Sequence, residues 1–137
     1  MTAYRTIVLE HFRRPLNRGP LADANADAEG ANPLCGDRIR IRLRVENGTI
    51  ADAKFTADAC ILCIAAASVL TERLRGLSLA DAETLEESVI HEALDGMPPA
   101  ARIKCATLPL DTAHRAVRAY RDSSSEFSND ASPRSTP

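Results

Sequence analysis

Tryptophan is absent from this chain, and only 4% of its residues are aromatic. Rings carry the largest apolar areas per residue, so their scarcity excludes a core built on aromatic stacking. Hydrophobic residues still make up 45% of the chain, but 23 of its 137 residues are Ala. The core must therefore be assembled from small and branched aliphatics, each burying little area. An excess of one charge is also missing: 17 Lys and Arg stand against 19 Asp and Glu, a net charge of −2. No strong overall field draws such a chain onto nucleic acid or anionic lipid, and neither is expected as a partner. No apolar run approaches the roughly 20 residues that span a bilayer. The first five residues lack a basic region leading into an apolar stretch, so the chain is read as unexported and cytoplasmic. A length of 137 residues suits one domain. Against this background stand four cysteines, at positions 35, 60, 63 and 105. A reducing compartment favours metal ligands or reactive thiols over a disulfide framework.

Residues 2–14 carry Ile7, Val8, His11 and Phe12 on one helical stripe, ended by Pro15 to Pro20. On that stripe His11 reads as a core or loop-bracing residue. Residues 21–34 alternate Ala with Asp, Asn and Glu and show no apolar face, so a loop is expected. Residues 38–45 alternate Arg with Ile, Ile, Leu and Val, the period-2 signature of a strand with one solvated face. Asn47-Gly48 marks a turn, and Ala51, Ala53, Phe55 and Ala57 continue the alternation on odd positions. Pairing residues that sum to 96 sets Ile41 against Phe55, Leu43 against Ala53 and Arg44 against Asp52, which predicts an odd-length loop with a Gly bulge. A helix is expected over 64–75 with Gly76 as its stop, and a second from Ser78, as N-cap, to about Glu87. A short helical turn follows over 89–94, and a last helix is expected over 105–121, with Pro109 requiring a start close to Cys105. The Ser-rich residues 122–137 read as a disordered tail.

Cys35-Gly-Asp37 precedes the first strand of this hairpin and Cys60 follows the second. An antiparallel hairpin returns to its starting end, so these residues converge there. If the last helix also delivers its N-terminus there, its dipole favours the Cys105 thiolate. Three thiolates and a carboxylate then form a tetrahedral site suited to Zn²⁺ or an iron–sulfur cluster. Two other readings stand beside this one: the cysteines are small buried hydrophobes, or Cys60-x-x-Cys63 is the redox motif of a thiol oxidoreductase.

Four stretches resemble the U-type iron–sulfur assembly proteins, the family of IscU, SufU and the N-terminal domain of NifU. They are Tyr4…Val8…His11…Pro15-Leu-Asn17-Arg-Gly19, Asn32-Pro-Leu-Cys35-Gly-Asp37, Phe55-Thr-Ala-Asp-Ala-Cys60, and Arg102-Ile-Lys-Cys105-Ala-Thr-Leu. The resemblance implies an α+β fold over residues 1–121: a small antiparallel sheet of about three strands, one of them not evident from pattern, with helices packed on one face. It implies a scaffold that accepts sulfur from a pyridoxal-phosphate cysteine desulfurase and passes a [2Fe–2S] cluster to acceptor proteins. By the same resemblance, Cys35, Asp37, Cys60 and Cys105 are the ligands of Zn²⁺ or the cluster. Asp37, the harder donor, is the release ligand. Cys105 accepts persulfide if the chain is IscU-like, and Cys35 if it is SufU-like.

The match also departs from both branches. Lys104 stands where IscU has a His. The Arg102-Ile-Lys-Cys105 wording is closer to SufU, whose members act mainly as zinc-dependent sulfurtransferases and in which the Arg is an auxiliary residue. Yet the chain lacks the SufU insertion of about twenty residues, a spacing that resembles IscU. The segment from Met97 to Arg102 has lost the Val-Lys of the IscU chaperone motif, which argues against recognition by that chaperone. Cys63 is no family ligand; it reads as a buried small residue, a resolving thiol for Cys60, or an alternate ligand. The Arg face at 38, 40, 42 and 44 reads as solvated strand, or as a docking site for an acidic desulfurase patch.

Overall fold

A computed structural model of the chain describes residues 6–96 and 98–131, and the side chains of 124–131 lie outside the described set. The elements in order are α1 (Thr6–Arg13), β1 (Ala26–Asn32), β2 (Asp37–Glu46), β3 (Thr49–Asp58), α2 (Ile61–Leu74), α3 (Leu79–Glu83), α4 (Glu87–Ala93), a 3-10 turn (Ala100–Arg102) and α5 (Ile103–Ala131). The strands form one antiparallel sheet in the order β1-β2-β3. Residues 2–5 of the expected first helix lie outside the described residues.

Strand β2 turns Ile39, Ile41, Leu43 and Val45 into the core, as its alternation requires. On the other face Arg40 pairs with Asp27 and Glu29, and Arg44 with Asp23 and Glu46. The β2–β3 register is the expected one over most of its length, with Ile41 opposite Phe55, Leu43 opposite Ala53 and Arg38 opposite Asp58. The loop differs from expectation. Asn47 and Gly48 have φ of 53° and 75°, the positive pair of a two-residue hairpin turn, and Val45 faces Ile50. The extra residue enters as a bulge where the register shifts between Arg44 and Val45. The turn twists with its strands, and the bulge restores the phase so that Ile50, Ala53 and Phe55 all face inward.

Residues 26–32, expected as loop, are strand β1. The alternation is there, with Ala28, Gly30 and Asn32 more buried than Asp27, Glu29 and Ala31, but its inward side chains are too small to register as an apolar face. The reason for small residues is α5, which crosses this strand: a Cβ on Gly30 would stand 2.1 Å from Thr112 Oγ1.

Helix α2 starts three residues earlier than expected and is buried almost all round, from Leu62 to Thr71. Its Ala65, Ala66 and Ala67 are fully buried and let the neighbouring elements approach its backbone. Helix α1 and the turn after it are pinned to α2 by polar contacts. His11 Nδ1 lies 2.8 Å from Ser68 Oγ, which accepts the Leu16 N–H at 2.8 Å, and Asn17 Nδ2 donates to Thr71 Oγ1 at 3.3 Å. The bracing expectation for His11 is met. Ser78 caps α3 by accepting the Asp81 N–H, and α3 ends at Glu83, short of the expected Glu87.

Helix α5 starts at Ile103, so Pro109 falls in its second turn. It has no N–H to offer the Cys105 carbonyl one turn back. The helix also runs past residue 121, since no Gly or Pro intervenes before Pro133; residues 132–137 of the expected tail lie outside the described residues. Among the described residues no helix is long and apolar enough to cross a membrane.

Candidate metal centre

Cys35 sits in the four-residue connection between β1 and β2, whose bases Asn32 and Asp37 face each other. The Asn32 carbonyl accepts the N–H groups of Cys35 and Gly36 at 3.1 and 2.9 Å, while Asn32 Oδ1 accepts the Leu34 N–H at 3.2 Å. Gly36 has φ +74°, a left-handed position that glycine adopts without strain. This closed turn presents Cys35 to solvent. Sequence reading attached no role to Asn32; its signal is an Asn-Pro pair opening a turn, where the Asn side chain binds backbone two residues on.

Asp37 begins β2 on its inward face and is only 2% exposed. Its Oδ1 accepts the Cys60 N–H at 2.9 Å, and its Oδ2 lies 3.7 Å from Cys60 Sγ. Cys60 is half-buried and serves as the N-cap residue of α2, with no side-chain capping bond. Asp37 thus ties the start of β2 to the start of α2 and keeps one oxygen toward the thiols. Cys105, in the first turn of α5, is fully buried, and its thiol lies 3.5 Å from Cys35 Sγ.

The ligand atoms of Cys35, Asp37 and Cys105 all lie within 4.8 Å of one another. Cys60 is outside that trio and joins it through Asp37. Three sulfur donors and one oxygen donor at the end of one sheet suit zinc or iron, which take thiolate readily. Cys63 is fully buried in the first turn of α2 and lies outside the trio. Arg102 and Lys104 are exposed, Arg102 in the 3-10 turn and Lys104 beside Cys105 in the first turn of α5. Met97, the start of the segment compared with a chaperone motif, lies outside the described residues.

The expectation that the α5 N-terminus would favour a Cys105 thiolate is corrected. Burial pushes the Cys105 thiol up, and its contacts with Cys35 and Asp37 push it further. Loss of hydration disfavours the charged form of a thiol this buried. Burial, followed by the charge of Asp37, raises Cys63 as well. Both thiols keep their protons in the folded chain at pH values where an unfolded thiol, with a pKa of about 8.5, ionises. The folded state then binds more protons, and stability falls with rising pH. The metal-free protein is expected to melt at a lower temperature at pH 9.5 than at pH 7.5. Equal melting temperatures would show that neither thiol is held protonated.

Comparison with known proteins agrees with this geometry. The family profile of the NifU-like N terminal domain matches residues 3–126. The chain is 40% identical over 119 residues to the iron–sulfur cluster assembly scaffold protein IscU of Aquifex aeolicus, covering 85% of this chain and 75% of that one. It is 39% identical over 124 residues to IscU of Azotobacter vinelandii (87% and 94% covered), and 32% identical over 124 residues to the zinc-dependent sulfurtransferase SufU of Bacillus subtilis (78% and 84%). In fold it resembles the crystal structure of an N-terminal NifU-like protein from Brucella abortus, with a TM-score of 0.70 at 21% identity over 86% of this chain and 94% of that one. The sheet, the thiol-rich end and these matches agree: the chain belongs to the NifU-like N-terminal domain family.

Proposed function

We propose that this protein is an iron–sulfur cluster assembly scaffold that accepts sulfur from a cysteine desulfurase and holds a labile [2Fe–2S] cluster or Zn²⁺. The proposed ligands are Cys35, Asp37, Cys60 and Cys105. The carrying observation is the approach of Cys35, Asp37 and Cys105 to within 4.8 Å, with Cys60 held against the same carboxylate. A bound metal ion would supply positive charge that keeps these donors deprotonated. Cys35 is the exposed thiol of the set and Cys105 the buried one, which favours Cys35 as the first sulfur acceptor. In that transfer the Cys35 sulfur attacks the outer sulfur of the desulfurase persulfide, and the desulfurase thiol leaves.

A SufU-like reading, a zinc-dependent sulfurtransferase that builds no cluster, is favoured by Arg102 and Lys104 ahead of Cys105. The exposure of Cys35 favours it too. Anaerobic purification with metal and sulfide quantitation is expected to find about one zinc or two iron per chain. Protein with reduced thiols that carries no metal, and takes none on anaerobic loading, would sink both readings. Reconstitution with iron, sulfide and a desulfurase separates them, since only a scaffold turns brown.

A further inference from the structure

Sulfur delivered as a persulfide is two electrons short of the sulfide that bridges iron in a cluster. That step needs a two-electron reductant. A pair of thiols closing to a disulfide yields two electrons, and one pair in this site is placed for it. Cys35 stands exposed on its turn, and the Cys105 sulfur lies 3.5 Å from it, fully buried beneath. The exposed member can meet a donor that the buried one cannot reach. The buried member adjoins whatever the exposed one has received.

Building on the reading of the chain as a sulfur acceptor, we propose that Cys105 resolves a persulfide formed on Cys35, releasing hydrogen sulfide within the site and leaving a Cys35–Cys105 disulfide. The Cys105 sulfur attacks the inner sulfur of the Cys35 persulfide, the one bonded to carbon. The bond between the two persulfide sulfurs breaks, its electron pair leaves on the outer sulfur, and that sulfur takes the Cys105 proton. One persulfide and one thiol thus become one disulfide and one hydrogen sulfide. The outer sulfur gains two electrons, and the two cysteine sulfurs together give them up. A small thiol reductant from solution restores the pair by ordinary thiol–disulfide exchange.

Closing from the present contact to a bond of about 2.05 Å needs movement of Cys35 rather than of the helix. Cys35 sits in the four-residue 33–36 connection, where Gly36 holds φ +74°, whereas Cys105 belongs to the first turn of α5. Holding the two sulfurs side by side replaces an encounter in solution with an intramolecular step, which offsets the low reactivity of a buried thiol. The other thiols are placed less well for this role. Cys60 has its contact with Asp37, and Cys63 is sealed in the core.

The test uses the full-length, metal-free, reduced chain under anaerobic conditions, loaded with glutathione persulfide and then desalted. Cys35 persulfide and disulfides are followed by non-reducing peptide mass mapping, and sulfide by bimane trapping. The expected result is loss of Cys35 persulfide in step with about one sulfide and one Cys35–Cys105 disulfide per event. Cys105→Ala should hold its persulfide at least about tenfold longer, whereas Cys63→Ala should behave as wild type. If Cys105→Ala does not fold, the wild-type map decides. A Cys60–Cys63 disulfide, sulfide without any disulfide, or a Cys35 persulfide that persists beside free Cys105 would each overturn the proposal while leaving the sulfur-acceptor reading intact. Failure of Cys35 to take up persulfide at all would overturn both.

Discussion

Replacing Cys60 with serine is expected to weaken zinc binding by on the order of 100-fold or more while leaving the fold intact. Disturbing a group that merely supports a metal ligand costs roughly 10–100-fold, and removing a donor atom should cost no less. The fold is expected to survive because the bond to Asp37 Oδ1 comes from the Cys60 backbone N–H, which serine retains. Cys60 is also the N-cap of α2 and makes no capping bond with its side chain, a position where serine is the better residue. Affinity should be read by competition with a chromophoric chelator, and the metal-free melting temperature should be measured alongside it. In wild type, zinc at 100 times its dissociation constant adds about 2.7 kcal/mol to stability, a gain the variant loses at the same concentration. Wild-type affinity in the variant would remove Cys60 from the ligand set.

Asp37→Ala is expected to slow release of the bound metal or cluster while lowering the stability of the metal-free chain. Removing the carboxylate leaves the three thiolates, which hold soft ions more durably than a hard oxygen donor does. The same change deprives the part-buried Cys60 N–H of its acceptor, at a cost of up to about 1–3 kcal/mol, the range for a fully buried group. Asp37→Asn separates the effects, since its amide oxygen still accepts that N–H but carries no charge. It should retain most of the stability and still release slowly. Dissociation rates into excess chelator and urea midpoints measure the two quantities. Faster release from both variants than from wild type would contradict the role of Asp37 as the ligand that lets go.

How much of this was legible in the chain varies with the size of the side chains involved. Strand β2 could be read directly because Arg and branched aliphatics alternate, and only one register of the hairpin keeps both inner faces apolar. The bulge could not, because a two-residue turn and an odd loop meet the same pattern at different places. Strand β1 was hidden because its inward positions are Ala, Gly and Asn, chosen by the closeness of α5, an element about eighty residues further along. The start of α5 was displaced because Pro109 is tolerated in its second turn instead of forcing a first-turn position.

The sequence by itself determined the chemistry available here: three cysteines and an aspartate at the ends of elements, in an order that resembles one family, and a hairpin that must bring 35–37 back to 60. These are consequences of local periodicity and chain connectivity, which act between near neighbours. Only the tertiary structure decided which thiol meets solvent and which is sealed, because burial depends on what packs on top. It set Cys35 against Cys105 across 70 positions of sequence, gave one Asp37 oxygen to the Cys60 backbone, and left Cys63 in the core. It also buried the Cys105 thiol, and the hydration lost there favours its protonated form.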